Sequence, residues 1–175
     1  LLNEKGRKLV QLDRDDEALA VYARMRELAP DSVMGYHGET LLHEERGRYV
    51  DAVYRSTRTM AIDPDDHELP AFVAQYLMMM GLTEEAAPWI RRAELLNASG
   101  SDTQRVLIQY AEQTGDTARA LALSKDVLQA QRDNRRWVYG IATIYYLSLM
   151  DEAGKLDEAL AFVDQLSPGA LKLPP

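Results

Sequence analysis

The sequence predicts an all-α solenoid made of stacked pairs of antiparallel helices. Three observations support this fold: a residue skeleton that recurs every 34 positions, a glycine that precedes each repeated alanine, and no pattern typical of a strand. Several positions that keep one fixed period indicate a repeat array, in which each unit buries its apolar face against its neighbours. The repeated alanines are Ala18, Ala52, Ala86, Ala120 and, after a longer interval of 39 residues, Ala159.

The same period marks the turns that separate the helices. Glycine stands five residues before the alanine in four copies, and Asp13 holds this place in the first copy. Glycine tolerates backbone angles that other residues resist, so it ends the preceding helix. Pro30 and Pro64 close the first two copies, because proline cannot continue a helix. The four glycines are Gly47, Gly81, Gly115 and Gly154.

The helix that follows Gly47 shows the pattern of the second helix in each pair most clearly. Its apolar and small residues recur at helical spacing and therefore lie on one face. Ala52 and Ser56 are small, so we expect a neighbouring helix to approach closely there. The predicted buried face consists of Tyr49, Ala52, Val53, Ser56 and Met60.

These signals divide the chain into ten helices and five repeats that form a single array over residues 1–175. The ninth helix is predicted to be unusually long, because it absorbs the five extra residues of the last interval. The predicted helices cover about 1–12, 15–28, 33–45, the stretch 47–64 between its glycine and its proline, 68–80, 83–96, 102–113, 117–130, 134–153 and 156–166. The predicted repeats cover about 1–32, 33–66, 67–100, 101–134 and 135–168, with a tail over 169–175.

A period of 34 with these residue types at these offsets resembles the tetratricopeptide repeat (TPR) family. In the second copy the residues that carry the resemblance are Tyr36, Ala52, Ser56 and Pro64. The resemblance covers nearly the whole chain. It implies a right-handed superhelix in which the first helix of each pair lines a concave groove.

The resemblance also implies a function, a non-catalytic scaffold that binds a protein or peptide segment in this groove. Methionine is flexible and polarizable, and suits a surface that accepts varied apolar side chains. Met78, Met79 and Met80 are consecutive and cannot all face one way, so we expect one or two of them in the core. The implied groove residues are Met34, His37, Leu41, Glu44, Gln75, Met78, Met79, Arg105, Gln109 and Tyr139.

Composition argues against several other classes of protein. The net charge of −8 disfavours a nucleic-acid binder, and no apolar run is long enough to cross a membrane. The chain has no cysteine, which excludes disulfides, thiol catalysis and thiolate metal sites. No phosphate-binding glycine loop or catalytic set stands out, so the sequence predicts no enzyme, no cofactor and no metal site. His43 lies at a position that favours the core.

The basic cluster formed by Arg46, Arg48, Arg55 and Arg58 is interpreted as part of a solvated face of mixed charge, because acidic residues lie near it. Some members of the TPR family grip the C-terminal carboxylate of chaperones with lysine, arginine and asparagine side chains. The matching positions offer few donors and one repelling carboxylate, so this specificity is rejected. Those positions hold Asn3, Arg7, Gly38, Glu68 and Phe72.

Two further hypotheses stay open beside the scaffold. The chain starts and stops abruptly, which favours a recognition or regulatory arm of a larger enzyme, secretion protein or signalling protein. The last predicted helix keeps Phe162, Val163 and Leu166 without a polar outer face, which favours self-association through that helix. The sequence does not indicate a cellular compartment.

Overall fold

The computed structural model describes residues 1–130 and 141–166, and all regular structure in these residues is α-helix. This confirms the predicted fold class, and most helix bounds agree with the predicted ones to within a residue or two. The fourth helix ends at Met60, four residues before the proline that was predicted to close it. The long ninth helix is a second exception, because its predicted start at residue 134 lies outside the described residues. The helices are α1 (Leu2–Gln11), α2 (Asp15–Leu28), α3 (Met34–Glu45), α4 (Tyr49–Met60), α5 (Glu68–Met79), α6 (Thr83–Asn97), α7 (Ser101–Gln113), α8 (Thr117–Ala130), α9 (Ile141–Glu152) and α10 (Leu156–Leu166).

The chain forms two compact units, Leu1–Gly100 and Ser101–Pro175. The first unit holds α1 to α6, and the described part of the second holds α7 to α10. Within each unit every helix packs against the next one along the chain. In addition, α3 packs against α1 and α9 packs against α7, so first helices of neighbouring repeats touch. The single continuous array stays a prediction.

The first helix of every pair ends in the same way. The second residue after its last helical residue adopts a positive φ, from 56° at Asp13 to 78° at Gly81. At the second repeat, Gly47 donates its N–H to Glu44 O at 2.9 Å and Arg48 donates to His43 O at 2.8 Å. This pair of bonds is the Schellman motif, which satisfies carbonyls that the helix end leaves free. The predicted role of the periodic glycines is therefore confirmed.

The repeated alanines begin the second helix of every pair. Each donates its backbone N–H to the carbonyl four residues earlier, as Ala52 does to Arg48 O at 3.1 Å. All five are completely buried. A methyl group is the largest side chain that such a close helix–helix contact accommodates without moving the backbone. The five alanines are Ala18, Ala52, Ala86, Ala120 and Ala159.

Tyr22 fills the space between the first two repeats. Its ring is 1% exposed and lies against Gly6 and Gly38. A Cβ placed on Gly38 would lie 2.2 Å from a Tyr22 ring carbon, so no larger residue fits there. One repeat later the sizes are exchanged, because the matching positions hold Ser56 and Phe72. There the Phe72 ring is half-buried and packs against the cluster of Met60, Leu69 and Val73 and against the His37 ring.

Candidate functional site

The first helix of the second repeat, α3, keeps one stripe of accessible side chains. Met34 is 47% exposed and Leu41 is 39% exposed, while His37 and Glu44 are half-buried. These four residues recur at helical spacing and therefore lie on one face. The residues of α3 that pack inward are Gly35, Gly38, Glu39, Thr40, Leu42 and His43.

The matching stripe of α5 differs from the predicted one. Met78 is 3% exposed and belongs to the core, so it offers almost no surface to a ligand. Met79 is 47% exposed, and Gln75 is half-buried, as is Phe72. Phe72 was missed as a groove residue, although the helical spacing from Glu68 through Phe72 to Gln75 was readable in the sequence. The stripe consists of Glu68, Phe72, Gln75 and Met79.

The two stripes meet side by side. The rings of His37 and Phe72 make an edge contact, with centroids 5.9 Å apart. Nearer the C-terminal ends of α3 and α5, the Tyr76 hydroxyl donates a hydrogen bond to Glu44 Oε2 at 2.9 Å. We call this surface of the first unit the α3/α5 face. It consists of Met34, His37, Leu41, Glu44, Glu68, Phe72, Gln75 and Met79.

The second unit carries the equivalent surface on α7 and α9. Arg105 donates to Asp102 at 2.8 Å, and both side chains are largely buried. Burial and the charge of Glu152 raise the pKa of Glu112, and burial and the charge of Glu112 raise the pKa of Tyr145. Glu112 of α7 therefore lies near Glu152 and Tyr145, which both belong to α9. The predicted groove residue Tyr139 lies outside the described residues.

The two faces differ in polarity at matching positions. Counting from the repeated caps, three accessible apolar residues of the first unit correspond to polar or acidic residues of the second. The fold therefore tolerates polar side chains there, and the apolar ones are not required for packing. The matched pairs are Met34 with Asp102, Leu41 with Gln109, and Met79 with Glu152.

A buried ion cluster lies behind the α3/α5 face and was not predicted. Glu39 on α3 is 2% exposed and forms ion pairs with Arg26 of α2 and Arg55 of α4, the latter at 3.1 Å. Arg26 also lies over the Tyr36 ring, 5.3 Å from its centroid. Arg55 was assigned to a solvated face and instead compensates a buried carboxylate. A lone glutamate within a helix gives no signal in the sequence that it will be buried.

Arg46, which was also predicted to lie on the solvated face, forms hydrogen bonds with residues of the first repeat. Its guanidinium donates to the carboxylate of Asp15, with the shortest contact 2.9 Å, and to Val10 O at 2.8 Å. This bond holds the pKa of Asp15 below its usual value. Arg46 therefore ties the turn between α3 and α4 to the corner between α1 and α2.

His43 packs in the core, 8% exposed, which confirms its predicted place. Burial, helped by the charge of Arg48, lowers the pKa of His43, while Asp51, 3.9 Å away, opposes the shift. Residues 1–130 and 141–166 contain no group of three or more side chains that could hold a metal ion. In the same residues, no helix combines the length and the hydropathy that a membrane span requires.

Comparisons with known proteins identify the fold. No family model and no curated protein matches the sequence. Among solved structures, a TPR protein from Parabacteroides merdae matches with TM-score 0.72 and 13% identity over 94% of this chain, and this chain spans only 62% of its length. TTC0263 from Thermus thermophilus matches with TM-score 0.71 and 19% identity over 95% of this chain and 90% of its own. YrrB, described as a TPR protein with an unusual peptide-binding site, matches with TM-score 0.61 and 16% identity, covering 95% and 85%. The chain therefore has the fold of the tetratricopeptide repeat proteins, an all-α solenoid of antiparallel helix pairs.

Proposed function

We propose that this chain is a non-catalytic protein-interaction scaffold that binds a segment of a partner protein on the α3/α5 face. The observation that carries the proposal is the exposure of Met34, Leu41 and Met79 at positions where the second unit has polar residues. Apolar side chains that are gathered on one surface and not needed for packing are typical of an interaction site.

The chemistry of the face suits a peptide ligand. Met34 and Met79 have flexible thioether side chains that adjust to ligands of different shape. Phe72 offers an aromatic edge between them, held by its contact with His37. Binding would bury these apolar groups and release the water that covers them. The similarity to YrrB adds support by analogy of fold, with its binding site standing as a property of YrrB alone.

A non-catalytic role agrees with the titratable groups of the second unit. The raised pKa values of Glu112 and Tyr145 follow from burial and from neighbouring carboxylates, which a packed helix array produces without a catalytic purpose. The proposal is the same whether the chain acts alone or as the recognition arm of a larger enzyme, secretion protein or signalling protein.

Affinity capture with matched variants tests the proposal. The double variant Leu41→Gln and Met79→Glu places the residues of the second unit on the α3/α5 face. The control Leu95→Gln removes an apolar side chain of α6 that is 88% exposed and lies off this face. We expect a partner protein to bind the parent and the control and to be lost from the double variant, with circular dichroism showing that all three are folded. A partner that the double variant retains would overturn the proposal.

Self-association is a separate proposal that rests on α10. Of the residues that predicted it, Val163 is completely buried and Phe162 packs against Tyr146, so these two do not form the exposed surface. Leu156 and Leu160 on the same helix are 36% and 37% exposed and offer an apolar surface to a second copy. Light scattering over a range of concentrations tests it, and Leu160→Glu should lower the mass if the dimer forms there. A mass that stays monomeric at every concentration would exclude this contact.

A further inference from the structure

We propose that the ligand of the α3/α5 face is an amphipathic helix that carries basic residues at both ends of its apolar stripe. This inference rests on the proposed function and names the chemistry of the partner. It follows from the order of the side chains along the two stripes and from the charges at their ends.

Two contacts fix how the stripes align. His37 meets Phe72, and Glu44 meets Tyr76, so residues about 34 apart lie level and α3 and α5 run in the same direction. At each level one stripe presents an apolar side chain and the other a polar one. From the first level to the last, the pairs are Met34 with Glu68, Phe72 with His37, Leu41 with Gln75, and Met79 with Glu44.

The spacing of these levels matches a helical ligand. Successive levels are three or four residues apart, which corresponds to roughly 5 Å along a helix axis. A partner helix repeats the side chains of one face at the same interval, so its apolar residues would meet an apolar side chain at each level. In an extended strand, side chains on one face recur at roughly 7 Å and would lose this match within two steps.

The ends of the face are acidic. Glu68 is exposed at the first level, and Glu44 and the exposed Glu45 lie at the last one. The nearest cation in the sequence, Arg46, is engaged mainly by Asp15 and Asp13 and reaches Glu45 only at 4.0 Å, so it compensates the charge of Glu45 weakly. Lysine or arginine at each end of the ligand stripe would therefore be attracted, and acidic residues there would be repelled.

Designed peptides provide the test. The probe is a labelled peptide of about 15 residues built on alanine and glutamine, with leucines at i, i+3 and i+7 and two lysines at each end. One comparison peptide carries glutamates in place of the lysines, and another has the same composition in scrambled order. Fluorescence anisotropy is measured in about 50 mM and about 500 mM NaCl. We expect the lysine peptide to bind most tightly and to weaken as salt increases.

Protein variants then locate the bound peptide. We expect Glu68→Lys to weaken the lysine peptide about fivefold or more, and Leu41→Gln with Met79→Glu to weaken it about a hundredfold. Asp126→Lys changes the charge of the exposed side of α8 by the same amount and should leave binding unchanged.

The outcomes separate the two claims. Equal binding of the glutamate peptide, or of the scrambled one, would overturn this inference and leave the proposed function standing. No binding by any of these peptides would likewise overturn this inference alone, because an extended segment would still fit the proposed function. Binding that survives the apolar double variant would count against the face itself and hence against both.

Discussion

At three junctions between neighbouring repeats, three equivalent positions hold side chains of different chemistry. In the first unit, the junction of α2, α3 and α4 is ionic, whereas the junction of α4, α5 and α6 is apolar. In the second unit, the junction of α8, α9 and α10 is apolar and aromatic. The three places hold Arg26, Glu39 and Arg55 in the first junction, Met60, Val73 and Trp89 in the second, and Leu128, Tyr146 and Phe162 in the third.

The comparison shows that the helix arrangement does not depend on the chemistry of these places. The caps and the buried alanines recur in every repeat, and they set how closely the helices approach. The side chains between them need only fill the space and satisfy their own polar groups. Because removing charges from water is costly, we expect the ionic junction to add little net stability compared with an apolar one.

Glu39→Ala should break the ionic junction and give the largest effect. It leaves the guanidinium groups of Arg26 and Arg55 without their shared carboxylate, and their side chains are only 23% and 33% exposed. We expect the free energy of unfolding to fall by about 3 kcal/mol, measured by urea titration with circular dichroism. A loss no larger than that of an exposed ion pair such as Arg24 with Glu27 would show that the cluster is solvated.

Replacing all three charged residues sharpens the comparison. The variant Arg26→Met, Glu39→Val and Arg55→Trp copies the next junction of the same unit. We expect its free energy of unfolding to lie within about 1 kcal/mol of the parent's value, or above it, because no buried charge is left unpaired. A triple variant as unstable as Glu39→Ala would mean that the ionic junction is required by its own surroundings.

Gly38→Ala should give the next largest effect. The added methyl group would collide with the Tyr22 ring, and we expect a loss of about 2 kcal/mol in a urea titration. Adding Tyr22→Ser, which copies the residue of the next repeat, should recover part of the loss through a favourable coupling of about 1 kcal/mol. Strict additivity of the two changes would show that the two positions do not share one space.

Arg46→Met tests the bonds that link the turn after α3 to α1 and α2. The variant copies the next repeat, which holds the apolar Met80 at this position. Losing the bonds to Asp15 and to Val10 O should cost about 1 kcal/mol. Urea titrations of the parent and the variant measure this difference. An effect equal to that of Arg58→Met, which removes an exposed arginine of α4, would contradict it.

His43 should make the first unit sensitive to mild acid. Its pKa is lowered in the fold, so below the ordinary value of 6.5 the unfolded chain takes up the proton before the folded chain does. Stability should therefore be full above this value and decrease as the pH falls below it. The variant His43→Met, which copies Met150 of the second unit, should flatten the profile of unfolding free energy between about pH 5 and pH 7. An unchanged slope in the variant would assign the sensitivity to other groups.

The sequence predicted the features that repeat, because five copies reveal what each copy needs. Glycine or Asp13 at the cap and alanine at the close contact were readable from their spacing alone. The features that occur once were not readable. Glu39 became buried because Arg26 and Arg55 converge on it from two other helices.

The exchange of Tyr22 and Gly38 for Ser56 and Phe72 also determines which repeat can sit beside which. If the first helix of the third repeat were placed against the second helix of the first, Tyr22 and Phe72 would compete for one space. Misassembled neighbours are a characteristic risk of repeat proteins, whose units resemble one another. The size of Tyr22 therefore disfavours one wrong neighbour, the first helix of the third repeat with its Phe72.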